Sequence, residues 1–321
     1  MPCISPYTLK DKKGNSYGVP CGKCVDCLKS RQMDWTFRLE QEMKVSYSSQ
    51  FITLTYDDVN LPRYDNLSGK TLTIRDDRYF LETDIFAYQN SKPTLHKPDL
   101  VNFMKRLRGL YIAEVARDTK GQKVHTQPLK YYSVGEHGGT TDRPHYHIIL
   151  FNLPEEYTYL ILKAWSLKGE PIGITHIGTV TTASIHYVTG YILNKHADEL
   201  ETQPVFSLMS KNLGISYLDR AAKWHKENDY HHVINSTGQK QRLPRYYSDK
   251  IFTYEDLRNQ KTKSKYLANV HAQTTIKETD KRETEWQDKI RQSGDNPHEV
   301  NYLRYDARRR ITLRKLKNKK L

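Results

Sequence analysis

The chain has 321 residues, length enough for two average domains or for one domain with a large extension. Its 51 Lys and Arg outnumber 37 acidic residues, and the formal charge of +14 favours a polyanionic partner. No uninterrupted apolar run is longer than Ile148-Ile149-Leu150-Phe151 and the N-terminal stretch has no apolar signal-peptide core, so the expectation is a soluble intracellular protein with no membrane partner.

All four cysteines fall in the first 27 residues: Cys3, then Cys21, Cys24 and Cys27 in PCGKCVDC. Two-residue spacings let neighbouring thiolates converge on one tetrahedral ion, Gly22 eases the turn, and Cys3 could close a four-thiolate zinc site. Such a site would be structural, because four thiolates leave no open position. Reduced, unbound thiols are the plain alternative, and an iron–sulfur cluster fits less well because Cys3 stands far from the other three.

Leu28–Tyr47 then reads as a helix, with Trp35, Leu39 and Met43 on an apolar stripe. FITLTY, Phe51–Tyr56, is β-branched and aromatic, hence a strand. Residues 57–96 look like an inserted loop with a short hairpin around Asn66–Ile74. From Lys97 the pattern is helical, with Pro98 in the first turn. Lys130–Gly135 and His145–Phe151 are strands joined by the turn-rich EHGGTTDRP. Glu155–Leu167 reads as a helix, Gly173–Val180 as a strand, and Ala183–Lys195 as a helix weakened by Gly190. This order predicts an α+β fold: a central, mainly antiparallel sheet with helices packed on one face, plus a mostly helical or loop accessory region. The expected divisions are 1–48 (cysteine segment and helix), 49–199 (core) and 200–321 (accessory region). From Arg304 to Leu321 the chain holds nine Lys/Arg and one Asp, either a solvated terminus or a phosphate-binding arm.

The most informative segment is RPHYHIILF. Side chains alternate along a strand, so His145 and His147 share a face, about 7 Å apart along the backbone, while Tyr146 points away. Two imidazoles in that arrangement can bend towards one ion. Glu136, at the end of the preceding strand, can meet them if the strands pair through the short turn. Two His and a carboxylate leave open positions on a divalent ion, suited to a substrate phosphate oxygen; a mere turn role for Glu136 is the alternative, and His137 would tend to face the other side. In HYVTGYILNK, Tyr187, Tyr191 and Lys195 stack along one helix face. Packing is the usual reason for such a pair. Chemically, a phenolate can attack a phosphodiester and keep a 5′-phosphotyrosine, a nearby Lys favours the phenolate, and two tyrosines allow two successive transfers.

FITLTY, GEHGGTTDRPHYHIILF and YVTGYILNK, in that order, resemble the three motifs of rolling-circle replication initiators of the HUH endonuclease superfamily. VPCGKCVDCLKSRQMDW and LPRYYSDKI resemble the initiator of the gokushovirus branch of Microviridae, small single-stranded DNA phages. The resemblance covers roughly residues 1–250. It implies an HUH core with an RRM-like sheet, His145, His147 and Glu136 as ligands of Mg²⁺ or Mn²⁺, Tyr187 and Tyr191 as paired nucleophiles, and Lys195 as the lysine of the third motif. It further implies a site-specific endonuclease and strand transferase acting in a host bacterial cytoplasm on single-stranded DNA and on the origin of the circular replicative form. The sequence carries no Gly-rich phosphate loop with Lys-Ser/Thr, so a host helicase and replication proteins are implied partners. His-Tyr-His is bulkier in the middle than the aliphatic form of the motif, and the cysteine cluster is no part of the superfamily's catalytic core.

Arg31, Lys105, Arg106 and Arg108 are candidate phosphate contacts, or equally a solvated helix face. His176 and His186 can be packed or exposed. Two other readings stand: a non-catalytic zinc-containing DNA-binding or packaging protein, and a relaxase or transposase that uses the same chemistry on a different target.

Overall fold

The structure, a computed structural model, describes residues 6–10, 16–65, 69–73, 91–122, 127–138, 142–194 and 203–252, with a few single positions besides, Cys3 among them. Lys195 and the basic stretch 304–321 lie outside the described residues.

The chain opens with an antiparallel hairpin of β1 (Tyr7–Lys10) and β2 (Ser16–Val19), followed by α1 (Val25–Met43) and β3 (Ser49–Thr55). The inserted region contributes a small sheet of β4 (Arg63–Asp65), β5 (Lys70–Leu72) and β6 (Lys92–Pro93), in which β4 and β5 form the expected hairpin. Helix α2 (Lys97–Asp118) begins with Pro98 in its first turn, where a missing N–H costs nothing. Next come β7 (Lys130–His137) and β8 (Pro144–Phe151), then a 3₁₀ turn at Glu155–Tyr157 that leads to α3 (Tyr159–Ala164). A two-residue pair, β9 (Ser166–Leu167) and β10 (Glu170–Pro171), precedes β11 (Thr175–Thr179). Helix α4 (Thr182–Gly190) tightens into a 3₁₀ turn at Tyr191–Asn194, and β12 (Phe206–Met209) follows.

Five strands form the central sheet in the order β11-β3-β8-β7-β12, each neighbour antiparallel. The fold is α+β, as the element order predicts, but helices cover both faces of the sheet. On one face Ile52, Leu54, Tyr146, Ile148 and Leu150 pack against Leu100, Phe103, Met104 and Leu107 of α2 and Leu160 and Ile161 of α3. On the other, Tyr132, Val134, Ile149 and Phe151 meet Leu39 of α1 and Ile185 and Val188 of α4. The run Ile148–Phe151 explains this: a strand apolar at consecutive positions must be buried on both sides. Each such side chain contributes about 2 kcal/mol by leaving water.

Helix α1 belongs to this arrangement. Buried Glu42 accepts hydrogen bonds from Lys130 Nζ and from the Gly214 N–H, both at 2.7 Å, and Arg38 donates through Nε and Nη2 to the Leu213 carbonyl at 3.2 and 3.0 Å. The compact unit runs Met1–Asp219. Its sheet therefore takes a strand from beyond residue 199, and its second face takes a helix from before residue 49. The second unit, Arg220–Leu321, holds most of α5 (Tyr217–Glu227), the hairpin of β13 (His232–Ile234) and β14 (Lys240–Arg242), and α6 (Arg245–Ile251). Among the described residues, no helix is long and apolar enough to cross a membrane.

Candidate active site

The register of β7 and β8 builds the site. Glu136 lies directly opposite His145, and Val134 opposite His147, so the carboxylate and both imidazoles stand on the sheet face covered by α1 and α4. Gly135 makes this possible from behind. A Cβ there would lie 2.9 Å from the end of the Leu95 side chain and 3.1 Å from ring atoms of both Phe206 and Tyr146, so any larger residue would make that layer shift. Tyr146 fills that layer, fully buried, with its hydroxyl 2.9 Å from that of Tyr56, accepting from the His96 N–H at 2.9 Å and donating to the His96 carbonyl at 3.1 Å. The bulky middle residue of His-Tyr-His thus anchors the strand from the far face.

Glu136 Oε1 is 2.6 Å from His145 Nε2 and 2.9 Å from His147 Nε2. The remaining ring nitrogens are also engaged: His145 Nδ1 at 3.1 Å from the Arg143 carbonyl, and His147 Nδ1 at 3.0 Å from Thr53 Oγ1. With Nδ1–H on the carbonyl, Nε2 donates to Glu136 when His145 is protonated, and in the neutral ring it carries the lone pair that can be offered to an ion. Burial opposes ionisation of Glu136, but the hydrogen bonds and charge of both histidines outweigh it and hold the carboxyl below its ordinary value. Burial likewise opposes a charged His145, and its bond to Glu136 more than compensates, raising it. One ligand atom from each of the three residues falls within 4.8 Å of the others.

Over this cluster lie the two tyrosines. Helix α4 starts with a capping box: Thr181 Oγ1 accepts from the Ser184 N–H at 3.1 Å and Ser184 Oγ accepts from the Thr181 N–H at 2.7 Å. Ile185 and Val188 hold the helix to the sheet, which turns Tyr187 and Tyr191 towards His147. Their ring centroids lie 5.3 and 5.9 Å from the His147 ring and 5.1 Å from each other. Burial raises both phenols above their ordinary range, and the negative charge of Glu136 raises them further. Phe51 also stacks on His147, at 5.4 Å.

The structure brings together His145, His147, Glu136, Tyr187 and Tyr191. Lys195 lies outside the described residues. Cys3, Cys21, Cys24 and Cys27 form a second convergence, their four sulfurs all within 4.8 Å of one another. Of the candidate phosphate contacts, Arg31 is exposed on α1, on the site's side of the sheet. Lys105, Arg106 and Arg108 belong to α2 on the opposite side, and two of them serve the fold: Arg106 donates to the Ala164 carbonyl and Arg108 to that of Leu129. His176 stands across from Thr53 on the site face, exposed on β11. Thr53 is the residue that motif reading missed. Its signal is alternation: in FITLTY, Phe51 and Thr53 share a face, and that face is the one carrying the histidines.

Residues 49–196 match the family described as replication-associated protein ORF2/G2P. The chain is 25% identical over 254 residues to replication-associated protein VP4 of Bdellovibrio phage phiMH2K, covering 73% of this chain and 67% of that one. It is 24% identical over 271 residues to replication-associated protein ORF2 of Spiroplasma virus 4, covering 77% and 72%. Both phages are Microviridae, in accord with the resemblance read from the motifs. No solved structure matches. The segment that resembles the replication-associated protein ORF2/G2P family contains β3, β7, β8, β11 and α4, and with them every member of the His–Glu–Tyr constellation.

Proposed function

We propose that the protein is a site-specific single-strand DNA endonuclease and strand transferase that initiates rolling-circle replication of a small circular phage genome. The observation that carries this reading is the packing of two tyrosine rings on His147, Tyr191 stacked and Tyr187 edge-on, beside a largely buried cluster of two histidines and one carboxylate. The donor set of two imidazole nitrogens and a carboxylate oxygen fits Mn²⁺, and Mg²⁺ less closely, since Mg²⁺ prefers oxygen throughout. Such an ion, when bound, supplies Lewis-acid polarisation of the scissile phosphate.

The chain's own residues do the rest. Glu136, His145 and His147 hold the site's three donor atoms in place, with Thr53 and the Arg143 carbonyl orienting the two rings. One tyrosine oxygen attacks phosphorus and the bond to the 3′-oxygen breaks, leaving a 5′-phosphotyrosine; the phenol gives up its proton and the departing 3′-oxygen takes one up to become a free 3′-hydroxyl, with no net proton change. The second tyrosine can then attack the regenerated junction, after which a 3′-hydroxyl displaces the first and closes the released strand. Lys195, by the family resemblance, assists the phenolate. Strand separation would fall to a host helicase.

The test uses single-stranded oligonucleotides tiled across the genome that encodes the chain, incubated with protein and Mn²⁺ and run on a denaturing gel. A metal-dependent covalent adduct on one tile is expected, retained by Tyr187→Phe or Tyr191→Phe singly and absent from the double variant and from His145→Ala/His147→Ala. Binding without an adduct on any tile, and no nicking of supercoiled replicative-form DNA, would overturn the reading in favour of a non-catalytic binding protein. An adduct only on foreign target DNA would point instead to a relaxase or transposase.

A further inference from the structure

The second convergence of ligand atoms lies at the start of α1. Cys3 precedes β1, Cys21 and Cys24 bracket the turn between β2 and α1, and Cys27 sits one turn inside α1. The Cys3 and Cys24 sulfurs are 3.7 Å apart and those of Cys21 and Cys27 4.0 Å apart. Four sulfurs at about 2.3 Å from one zinc ion lie about 3.8 Å from each other along the edges of a tetrahedron. A pair of disulfides would bring sulfurs together by twos, whereas here all four lie within 4.8 Å of one another. A multi-iron cluster needs its thiolates spread around several metals, wider than this.

The backbone is shaped for thiolates. Gly22 takes φ +74, folding the chain so that the amides of Lys23 and Cys24 point at Cys21 Sγ, at 3.4 and 3.2 Å. The Cys21 amide in turn points at Cys3 Sγ at 3.3 Å. Such N–H groups favour negatively charged sulfur. Cys24 is the N-cap of α1, so the cluster sits at the positive end of a 19-residue helix, where net negative charge is favoured.

The surroundings need such a tie. All four residues of β1 are exposed, so that strand has no buried apolar face with which to hold itself to the unit. A metal at the four sulfurs would replace that missing core. Further along α1, Gln32 Nε2 donates to the His186 carbonyl at 3.2 Å and the Thr36 hydroxyl meets that of Thr189 at 2.9 Å. Both partners are on α4, which carries Tyr187, and Tyr191 follows directly.

We propose that Cys3, Cys21, Cys24 and Cys27 bind one structural zinc ion, which ties the N-terminal hairpin to the start of α1 and, through α1, steadies the tyrosine-bearing helix. With four protein ligands the ion has no open position and takes no part in chemistry. The proposal stands whether or not the protein nicks DNA.

The test uses the full chain, purified under reducing conditions and dialysed against EDTA. Metal analysis should find about one zinc per chain, retained in His145→Ala/His147→Ala and lost in Cys21→Ser/Cys24→Ser. Because that cysteine variant can fail to fold, the wild-type chain is also exchanged with Co²⁺, which should give intense sulfur-to-cobalt charge transfer and the visible bands of tetrahedral cobalt. Releasing zinc with a mercurial should speed amide exchange in β1, β2 and the first turns of α1, and also in α4. A metal-free wild type that gives no charge-transfer bands with Co²⁺ would overturn the proposal, as would stoichiometric iron, disulfides found by mass spectrometry, or zinc retained in the cysteine variant. Exchange that speeds in the hairpin but not in α4 would overturn the link to the tyrosines.

Discussion

Tyr146 shows how one strand serves two layers. Its neighbours His145 and His147 face the tyrosines, while its own hydroxyl is bonded among Tyr56 and His96 on the far side of the sheet. Removing only that hydroxyl, by Tyr146→Phe, leaves the part-buried His96 N–H without its acceptor. The expected loss is about 1–3 kcal/mol in a denaturant titration, with Mn²⁺ affinity changed less than about twofold. A large fall in affinity with stability intact would show that the far-side anchor governs the cluster directly. Thr53 predicts the opposite pattern. Its hydroxyl fixes the ring of His147 from the adjacent strand. Thr53→Val keeps shape and β propensity but frees the ring, so Mn²⁺ affinity measured by calorimetry should fall about tenfold or more while stability moves little.

Among the elements, the short helix α4 is most exposed to perturbation, since nine residues hold little intrinsic helicity and the capping box supplies much of its start. Thr181→Ala should cost about 1 kcal/mol, speed amide exchange in the helix, and lower the yield of covalent adduct without abolishing it. Unchanged exchange would show that packing of Ile185 and Val188 alone holds the helix.

The elements also show what the sequence can and cannot tell. Strands β7 and β8 and their pairing are legible because alternation and a short polar turn specify register, and the meeting of Glu136 with the His pair follows from that register. Helix α2 is legible from its long apolar period. The second helical layer is not, since a helix that precedes the first core strand carries no mark of the face it will cover. The apolar run Ile148–Phe151 held a hint, because a strand covered on one side only would alternate. Strand β12 escapes for another reason: its four residues, FSLM, are half-buried at a sheet edge, too short for any period to show. The site's second layer, Thr53 against His147 and Gln32 and Thr36 against α4, depends on tertiary contacts far apart in the chain.

For the molecule as a whole, charge sets the terms of DNA binding. Residues 304–321 carry nine Lys/Arg against one Asp, more than half of the chain's excess of +14. If those residues engage phosphates, their removal lowers the slope of log affinity against log salt by several units, at about 0.7 per phosphate contact on single strands. Fluorescence anisotropy across a salt series checks this; an unaltered slope would assign phosphate contact to the folded units. The sequence shows this excess directly, but composition alone could not say that Lys105, Arg106 and Arg108 lie behind the sheet, away from the tyrosines.

One consequence of the β7–β8 pairing concerns the order in which the molecule comes into being. Glu136, His145 and His147 are brought together inside one hairpin by contacts of short sequence separation, the kind that closes early because little chain entropy is lost. Tyr187 and Tyr191 arrive only when α4 docks, from some forty residues further along. The growing chain therefore assembles its grip on a cation before it owns a nucleophile, and a lifted helix α4 would leave that grip standing.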